Sequence, residues 1–263
     1  MTAYSLPLTD TELPTDVDAA GRELRALGRG AFGWIVVTSG NTVQALGMLA
    51  GAEGASLGGL VVSGGVKVAA VGSATARLLA DAGVVVDLLP GEASSAGLLG
   101  EFPPGSGAIL LPQADLAPGD LQTGLSRLGW SVRRIDAYRT VPYPADPARR
   151  VPGVEEQGTQ PPLLSPSDVM LLASTGVQPA VVFTAPSTVR QFREKLGGPL
   201  EFLPVAIGRT TAAALRSQGW EPAATAPDPT PHGIARAVGE AFLRASGHAV
   251  PDPARTPLNG DQP

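Results

Sequence analysis

Two stretches of the chain follow one plan, and that plan restricts the fold more than any other feature of the sequence. Ala69-Ala-Val-Gly72-Ser-Ala-Thr75 runs on through Leu79 to Gly83 and Gly97; Val205-Ala-Ile-Gly208-Arg-Thr-Thr211 runs on through Leu215 to Gly219 and Gly233. Superposing Gly72 on Gly208 also superposes Thr75 on Thr211, Leu79 on Leu215, Gly83 on Gly219 and Gly97 on Gly233, with seven identities in one ungapped register. In each copy a short apolar run ends in glycine and a helical pattern begins at once. That is a buried strand meeting a helix N-terminus across a tight turn, where unpaired backbone N–H groups collect. The chain reads as a duplication of one α/β unit.

A second element is repeated as well. Trp34-Ile-Val-Val-Thr38 opens through Ser39-Gly-Asn41 into a helix, and Ala180-Val-Val-Phe-Thr184 opens through Ala185-Pro-Ser187 into another. Asp16 and Gly28 bracket a helix over 17–27, and the glycine-rich residues 51–65 read as a loop. From Val66 the pattern alternates: strands 67–71, 84–89, 107–111 and 131–137, with helices 73–82, 94–101 and 117–128 between them. Such alternation means βαβ crossovers and a parallel sheet. With 34–38 this block supplies five strands. The later block supplies three, at 180–184, 203–207 and 220–225, with helices starting at Ser167 and spanning 187–196, 209–218 and 230–245.

The expected organisation is an extended linker strand over 1–16, a complete α/β domain over 17–137, and a return linker with a proline-rich loop over 138–166. A second, incomplete α/β domain over 167–246 and a disordered tail over 247–263 follow. Three parallel strands covered by helices on both faces leave an open edge. Either strands reach this sheet from elsewhere or part of the domain is missing.

Composition narrows the chemistry. Among 263 residues there is no cysteine and there are two histidines, His232 and His248. Thiolate chemistry is excluded, and imidazole-based metal sites or Ser-His-Asp triads have little to build on. The net charge of −5 argues against nucleic acid as a partner, since phosphate binding draws on a basic patch. No apolar run reaches the length of a membrane span, and no signal-peptide pattern opens the chain. A cytoplasmic monomer with a small-molecule ligand, away from membranes, is the expectation.

The order and spacing of Thr38-Ser39 and Thr184, the Gly-x-x-Thr turns at 72–75 and 208–211, Leu111-Pro112 before a helix, and Tyr138-Arg-Thr140 together resemble the uroporphyrinogen-III synthase family, over roughly residues 6–245. The resemblance implies two doubly wound parallel-sheet domains joined by a two-stranded linker. It further implies that a strand–helix–strand unit expected at the N-terminus of the terminal domain is absent from this chain. The implied activity is that of a hydro-lyase without cofactor or metal. It cyclises hydroxymethylbilane, a linear tetrapyrrole, to uroporphyrinogen III, with inversion of the last pyrrole ring and loss of water through a spiro intermediate. A module that binds tetrapyrroles or other polyanions without catalysis is the alternative.

By the same resemblance Tyr138 assists departure of the substrate hydroxyl. A phenol with a pKa of about 10 is protonated at neutral pH and can donate that hydrogen bond. Otherwise Tyr138 is a packed linker tyrosine. Thr75 and Thr211, with Ser73, Arg209 and Thr210 beside them, are expected to bind carboxylates across a cleft between the domains. The competing role for each threonine is to cap its own helix. Thr38, Ser39 and Asn41, with Thr184, Ser187 and Thr188, form a second pair of turns. Two departures from the family pattern stand out: Ala185 replaces a serine in this pair of turns, and Gln113 stands where arginine is frequent in the Leu-Pro-x turn. His232 could meet an anion at the last helix or stand in solvent; Lys67, Arg77 and Arg190 read as surface charges.

Overall fold

The computed structural model describes residues 2–153, 161–176, 178–196 and 200–247. Apart from Gly247, the tail expected over 247–263 lies outside the described residues, as do Glu155 and Glu156 of the proline-rich loop. The chain divides into two compact units, one of residues 9–160 and one of residues 1–8 with 161–263.

In the first unit the strands are β1 (Thr9–Glu12), β2 (Trp34–Val37), β3 (Lys67–Ala70), β4 (Ala108–Ala114) and β5 (Ser131–Pro142), in the order β1-β5-β4-β2-β3. β5, β4, β2 and β3 are parallel. β1 pairs antiparallel with the far end of β5, Thr9 opposite Pro142 and Glu12 opposite Arg139. This pairing carries β5 to Pro142, beyond its expected end at 137. The helices are α1 (Val17–Gly28), α2 (Gly40–Ala52), α3 (Leu57–Gly64), α4 (Ser73–Asp81), α5 (Ser95–Glu101) and α6 (Asp120–Arg127).

Strand alternation explains why helices cover both faces. Ile35, Val37, Val68, Ala70 and Leu110 pack against Leu24, Leu27, Leu46, Leu57 and Leu79 on one side. Trp34, Val36, Ala69, Ile109 and Leu111 pack against Leu98, Phe102, Leu121 and Leu125 on the other. Both sides of these strands are buried, so they read as continuous apolar runs.

Three expectations need correction here. Residues 51–65 are not a loop: α2 continues to Ala52 and α3 follows, its cap Ser56 Oγ accepting from Gly59 N at 3.1 Å. The glycines that hide this helix are packing positions. A Cβ on Gly58 would meet the backbone of Ala82 and Gly83, and one on Gly64 would meet that of Leu27. The segment 84–89 forms only one bridge, Ala69 to Leu88. The Asp87 carboxylate accepts from Val68 N at 2.8 Å, in the place of a ladder bond. The helix expected from 117 begins at Asp120, after Pro118 and Gly119.

The second unit holds α7 (Pro166–Ser174), β6 (Ala180–Phe183), α8 (Pro186–Leu196), β7 (Leu203–Ala206), α9 (Arg209–Ser217), β8 (Ala224–Thr225) and α10 (Pro231–Ala245). Its parallel sheet has the order β6-β7-β8. Phe183, Phe192, Phe202 and Trp220 form an aromatic cluster on one face, with neighbouring ring centroids 5.2–6.3 Å apart. Leu203, Val205 and Ala224 pack on Ala237, Val238 and Ala241 of α10 on the other. β8 is shorter than the expected 220–225, as Pro222 has no N–H to give a ladder.

Candidate functional site

The duplicated glycines have matching physical reasons. Gly83 and Gly219 follow their helices at φ +74° and +80°, where side chains other than glycine are strained. Gly97 and Gly233 lie in the first turns of α5 and α10, where an added Cβ would run into the carbonyl oxygens of Glu92 and Asp228.

Gly72 and Gly208 play another part: each is an N-cap with no side chain to cap with. Helices α1, α2, α3, α5 and α10 are capped by Asp16, Ser39, Ser56, Ser94 and Thr230. In α4 and α9 the first intrahelical bonds are Ala76 N to Gly72 O and Ala212 N to Gly208 O, both at 3.0 Å. The N–H groups of Ser73, Ala74 and Thr75, and of Arg209, Thr210 and Thr211, stand ahead of them. Neither first turn carries an acidic residue, whereas α6, also started by a glycine, has Asp120 there. These two helix ends suit an external anion.

Thr75 and Thr211 are buried, at 6% and 3% exposure. Neither hydroxyl has a hydrogen-bond partner among the described residues, so neither caps its helix. Ser73, Arg209 and Thr210 are exposed beside them. Arg209 has no carboxylate partner among the described residues. Lys67 stacks over the Trp34 ring, 5.6 Å from its centroid, and so serves packing.

The second pair of turns lies alongside the first. Val71 N donates to Val37 O at 3.1 Å, which seats Thr38-Ser39 next to Gly72; Ile207 N donates to Phe183 O at 3.0 Å, which seats Thr184 next to Gly208. In the first unit β2 and β4 are neighbours, and the connection leaving β2 runs to β3 on one side while that leaving β4 runs to β5 on the other, so the two diverge between these strands. Ligands of open α/β sheets bind outside the carboxyl ends of strands at such a point. Thr38 and Ser39 are at that end of β2, Gln113 at that end of β4, and Tyr138 on β5 opposite Ala114 after a register shift.

Ser39 Oγ accepts from Thr42 N at 3.2 Å, lies 2.9 Å from Thr42 Oγ1, and lies 3.3 Å from Tyr138 Oη. Tyr138 is half-buried and packs on the cluster of Ala45, Ala137 and Val151. Asn41 Nδ2 reaches Thr11 Oγ1 at 3.5 Å. Thr42, fully buried, is a member of this group that the sequence reading does not single out; its i+3 spacing from Ser39 is the available signal. Gln113 is 5% exposed, and its Oε1 has no hydrogen-bond partner among the described residues.

The corresponding turn of the second unit differs. With Ala185 in place of a serine, Thr188 Oγ1 turns back and donates to Ala185 O at 2.7 Å. Thr184 and Ser187 are exposed. At the start of α10, beside His232, the chain supplies its own anion. Asp228 accepts from the hydroxyl and the N–H of Thr230, and these two bonds, the hydroxyl first, hold its carboxyl below the ordinary 3.8. Among the described residues no group of three or more His, Cys, Asp or Glu is placed to hold a metal. No single described helix is long and apolar enough to cross a membrane.

A family model described as uroporphyrinogen-III synthase HemD matches residues 1–236. A mutant uroporphyrinogen III synthase from the extremely thermophilic bacterium Thermus thermophilus is 25% identical with a TM-score of 0.56, over 92% of this chain and 88% of that one. The fold is shared with a uroporphyrinogen-III synthetase from Helicobacter pylori, at 18% identity and a TM-score of 0.53, over 92% of this chain and 91% of that one. No curated protein matches.

Proposed function

Since the chain belongs to the uroporphyrinogen-III synthase family of heme and tetrapyrrole biosynthesis, we propose that it converts hydroxymethylbilane to uroporphyrinogen III with loss of one water. The observation that carries this reading is the Tyr138 hydroxyl beside Ser39, at the carboxyl edge of the sheet where crossovers diverge.

The substrate brings both reacting carbons, so the protein's task is to hold a geometry and help one hydroxyl depart. Tyr138 gives its proton to that hydroxyl as the C–O bond breaks. Water leaves, and the remaining azafulvene is the electrophile. The substituted carbon of the last pyrrole attacks it, forming a spiro intermediate, which fragments and recloses with that ring inverted. The proton released as the final pyrrole regains aromaticity restores the phenol. The sum is substrate to product plus water, with no external electrons, and the enzyme acts as a hydro-lyase without a cofactor.

Thr75 and Thr211, with the open N–H groups and the Ser73, Arg209 and Thr210 side chains beside them, receive carboxylates of the substrate. Thr38 and Ser39, and less extensively Thr184 and Ser187, extend these surfaces. Missing serine and arginine side chains at Ala185 and Gln113 leave backbone N–H groups as the main anion donors. The enzyme acts in the cytoplasm as a monomer.

Purified protein mixed with hydroxymethylbilane, followed by isomer separation of the oxidised products, tests the proposal. The expected product is the type III isomer, at the expense of the type I isomer that forms spontaneously. Only type I product, from folded protein at any enzyme concentration, would overturn it; binding without conversion would point instead to a non-catalytic tetrapyrrole-binding module.

A further inference from the structure

We infer that Thr42 is a positioning residue that fixes the direction of the hydrogen bond between Ser39 and Tyr138, leaving the phenol's proton free for a ligand hydroxyl. The inference rests on the role given to Tyr138 above, but the geometry that supports it is independent of that role.

A serine hydroxyl has one proton to donate and two lone pairs. One lone pair of Ser39 Oγ takes the Thr42 N–H at 3.2 Å. One proton and one lone pair then remain for two hydroxyls, Thr42 Oγ1 at 2.9 Å and Tyr138 Oη at 3.3 Å. Two arrangements satisfy both contacts. Either Thr42 donates to Ser39 and Ser39 to Tyr138, or Tyr138 donates to Ser39 and Ser39 to Thr42.

Burial decides between them. Thr42 is 0% exposed, and Ser39 is the sole described side-chain partner of its hydroxyl. In the second arrangement the Thr42 O–H points into the core without an acceptor. Buried donors left without acceptors are rarer and costlier than acceptors with a spare lone pair. The first arrangement gives every buried proton a place. It makes the Tyr138 oxygen an acceptor toward Ser39 and directs its proton outward.

The duplicated turn supplies the comparison. Thr188 occupies the place of Thr42 in the second unit, and its hydroxyl donates to the Ala185 carbonyl at 2.7 Å. Thr42 makes no such bond to Ser39 O; its hydroxyl is directed to the Ser39 side chain instead. The unit with the tyrosine has the side-chain chain of hydroxyls, and the unit with Ala185 has a closed local turn.

The test uses Thr42→Val, which keeps the shape and removes the hydroxyl, and Thr42→Ser, which restores it. The Raman Fermi doublet of Tyr138, isolated by subtracting the spectrum of Tyr138→Phe, reports whether the phenol accepts or donates. In the native chain and in Thr42→Ser it should show an accepting phenol; in Thr42→Val it should move toward a donating one. With hydroxymethylbilane, Thr42→Val should lower kcat about fivefold, the equivalent of one ordinary hydrogen bond, with KM unchanged. A doublet that is the same in all three proteins would overturn the inference. Full turnover by Tyr138→Phe would instead remove the catalytic role of Tyr138, while the Raman result would still decide the direction of the bond.

Discussion

Ser39 Oγ and Tyr138 Oη lie 3.3 Å apart although 99 residues separate them in the chain. Ser39 follows β2 and Tyr138 lies on β5; both strands border β4, so parallel pairing brings the two residues to the carboxyl end of β4. The register shift at Gln113 and Ala114 sets Tyr138, rather than Ala137, opposite the end of β4. Ala137 is buried and Tyr138 half-exposed, so the phenol stands at the rim of this unit with a polar neighbour.

Replacing Tyr138 by Phe should lower kcat about a hundredfold or more, within the range for one general acid. The ring keeps its packing on the cluster of Ala45, Ala137 and Val151. Denaturation midpoints should therefore stay close to those of the native protein. Steady-state kinetics with hydroxymethylbilane, beside a thermal melt, checks both halves.

Thr75→Val and Thr211→Val remove hydroxyls that have no protein partner among the described residues. Stability should stay close to native, because no protein hydrogen bond is lost and the shape of the side chain is kept. KM should rise about tenfold for each, the scale of a hydrogen bond to a charged group. Unchanged KM in both variants would remove the threonines from the carboxylate sites.

Gly97→Ala and Gly233→Ala place a methyl against the Glu92 and Asp228 carbonyls, in the first and the second unit respectively. Each should destabilise its unit by about 1–3 kcal/mol, the usual cost of overpacking against atoms that cannot move aside. Urea titrations of the two variants measure this. Gly208→Ala, with open space around the added Cβ and an extended φ of −174°, is the contrasting control and should cost much less.

Asp228 sets a pH dependence of known sign. Its carboxyl is held below the ordinary 3.8 by the Thr230 hydroxyl first and the Thr230 N–H second. A lowered folded value means stabilisation that is complete above the ordinary value and is lost as pH falls through the folded one. Melting temperatures of the native protein and Asp228→Asn should therefore differ at neutral pH and converge as pH falls below 3.8. A constant difference down to the most acidic samples would show that the carboxylate's charge plays no part.

The duplication, the α/β class and the positions of the turns are legible from residue types alone. Strand and helix periods are local, and Gly83 and Gly219 or the Gly72 and Gly208 starts need nothing distant to explain them. α3 is not legible in this way, because Gly58 and Gly64 are required by the backbones of Ala82, Gly83 and Leu27, which only packing brings near. The 84–89 segment misleads for a similar reason: its run of valines and leucines suits a strand, but the Asp87 carboxylate takes the Val68 N–H. At the candidate site the order of amino acids settles which hydroxyls are available, at Thr38, Ser39, Thr75, Tyr138 and Thr211. Folding alone brings Ser39 to Tyr138, stands Thr42 behind them, and leaves Thr75 and Thr211 without protein partners among the described residues. Hydrogen-bond partners depend on strand order and register, and both follow from burial of whole sheet faces rather than from any short run of residues.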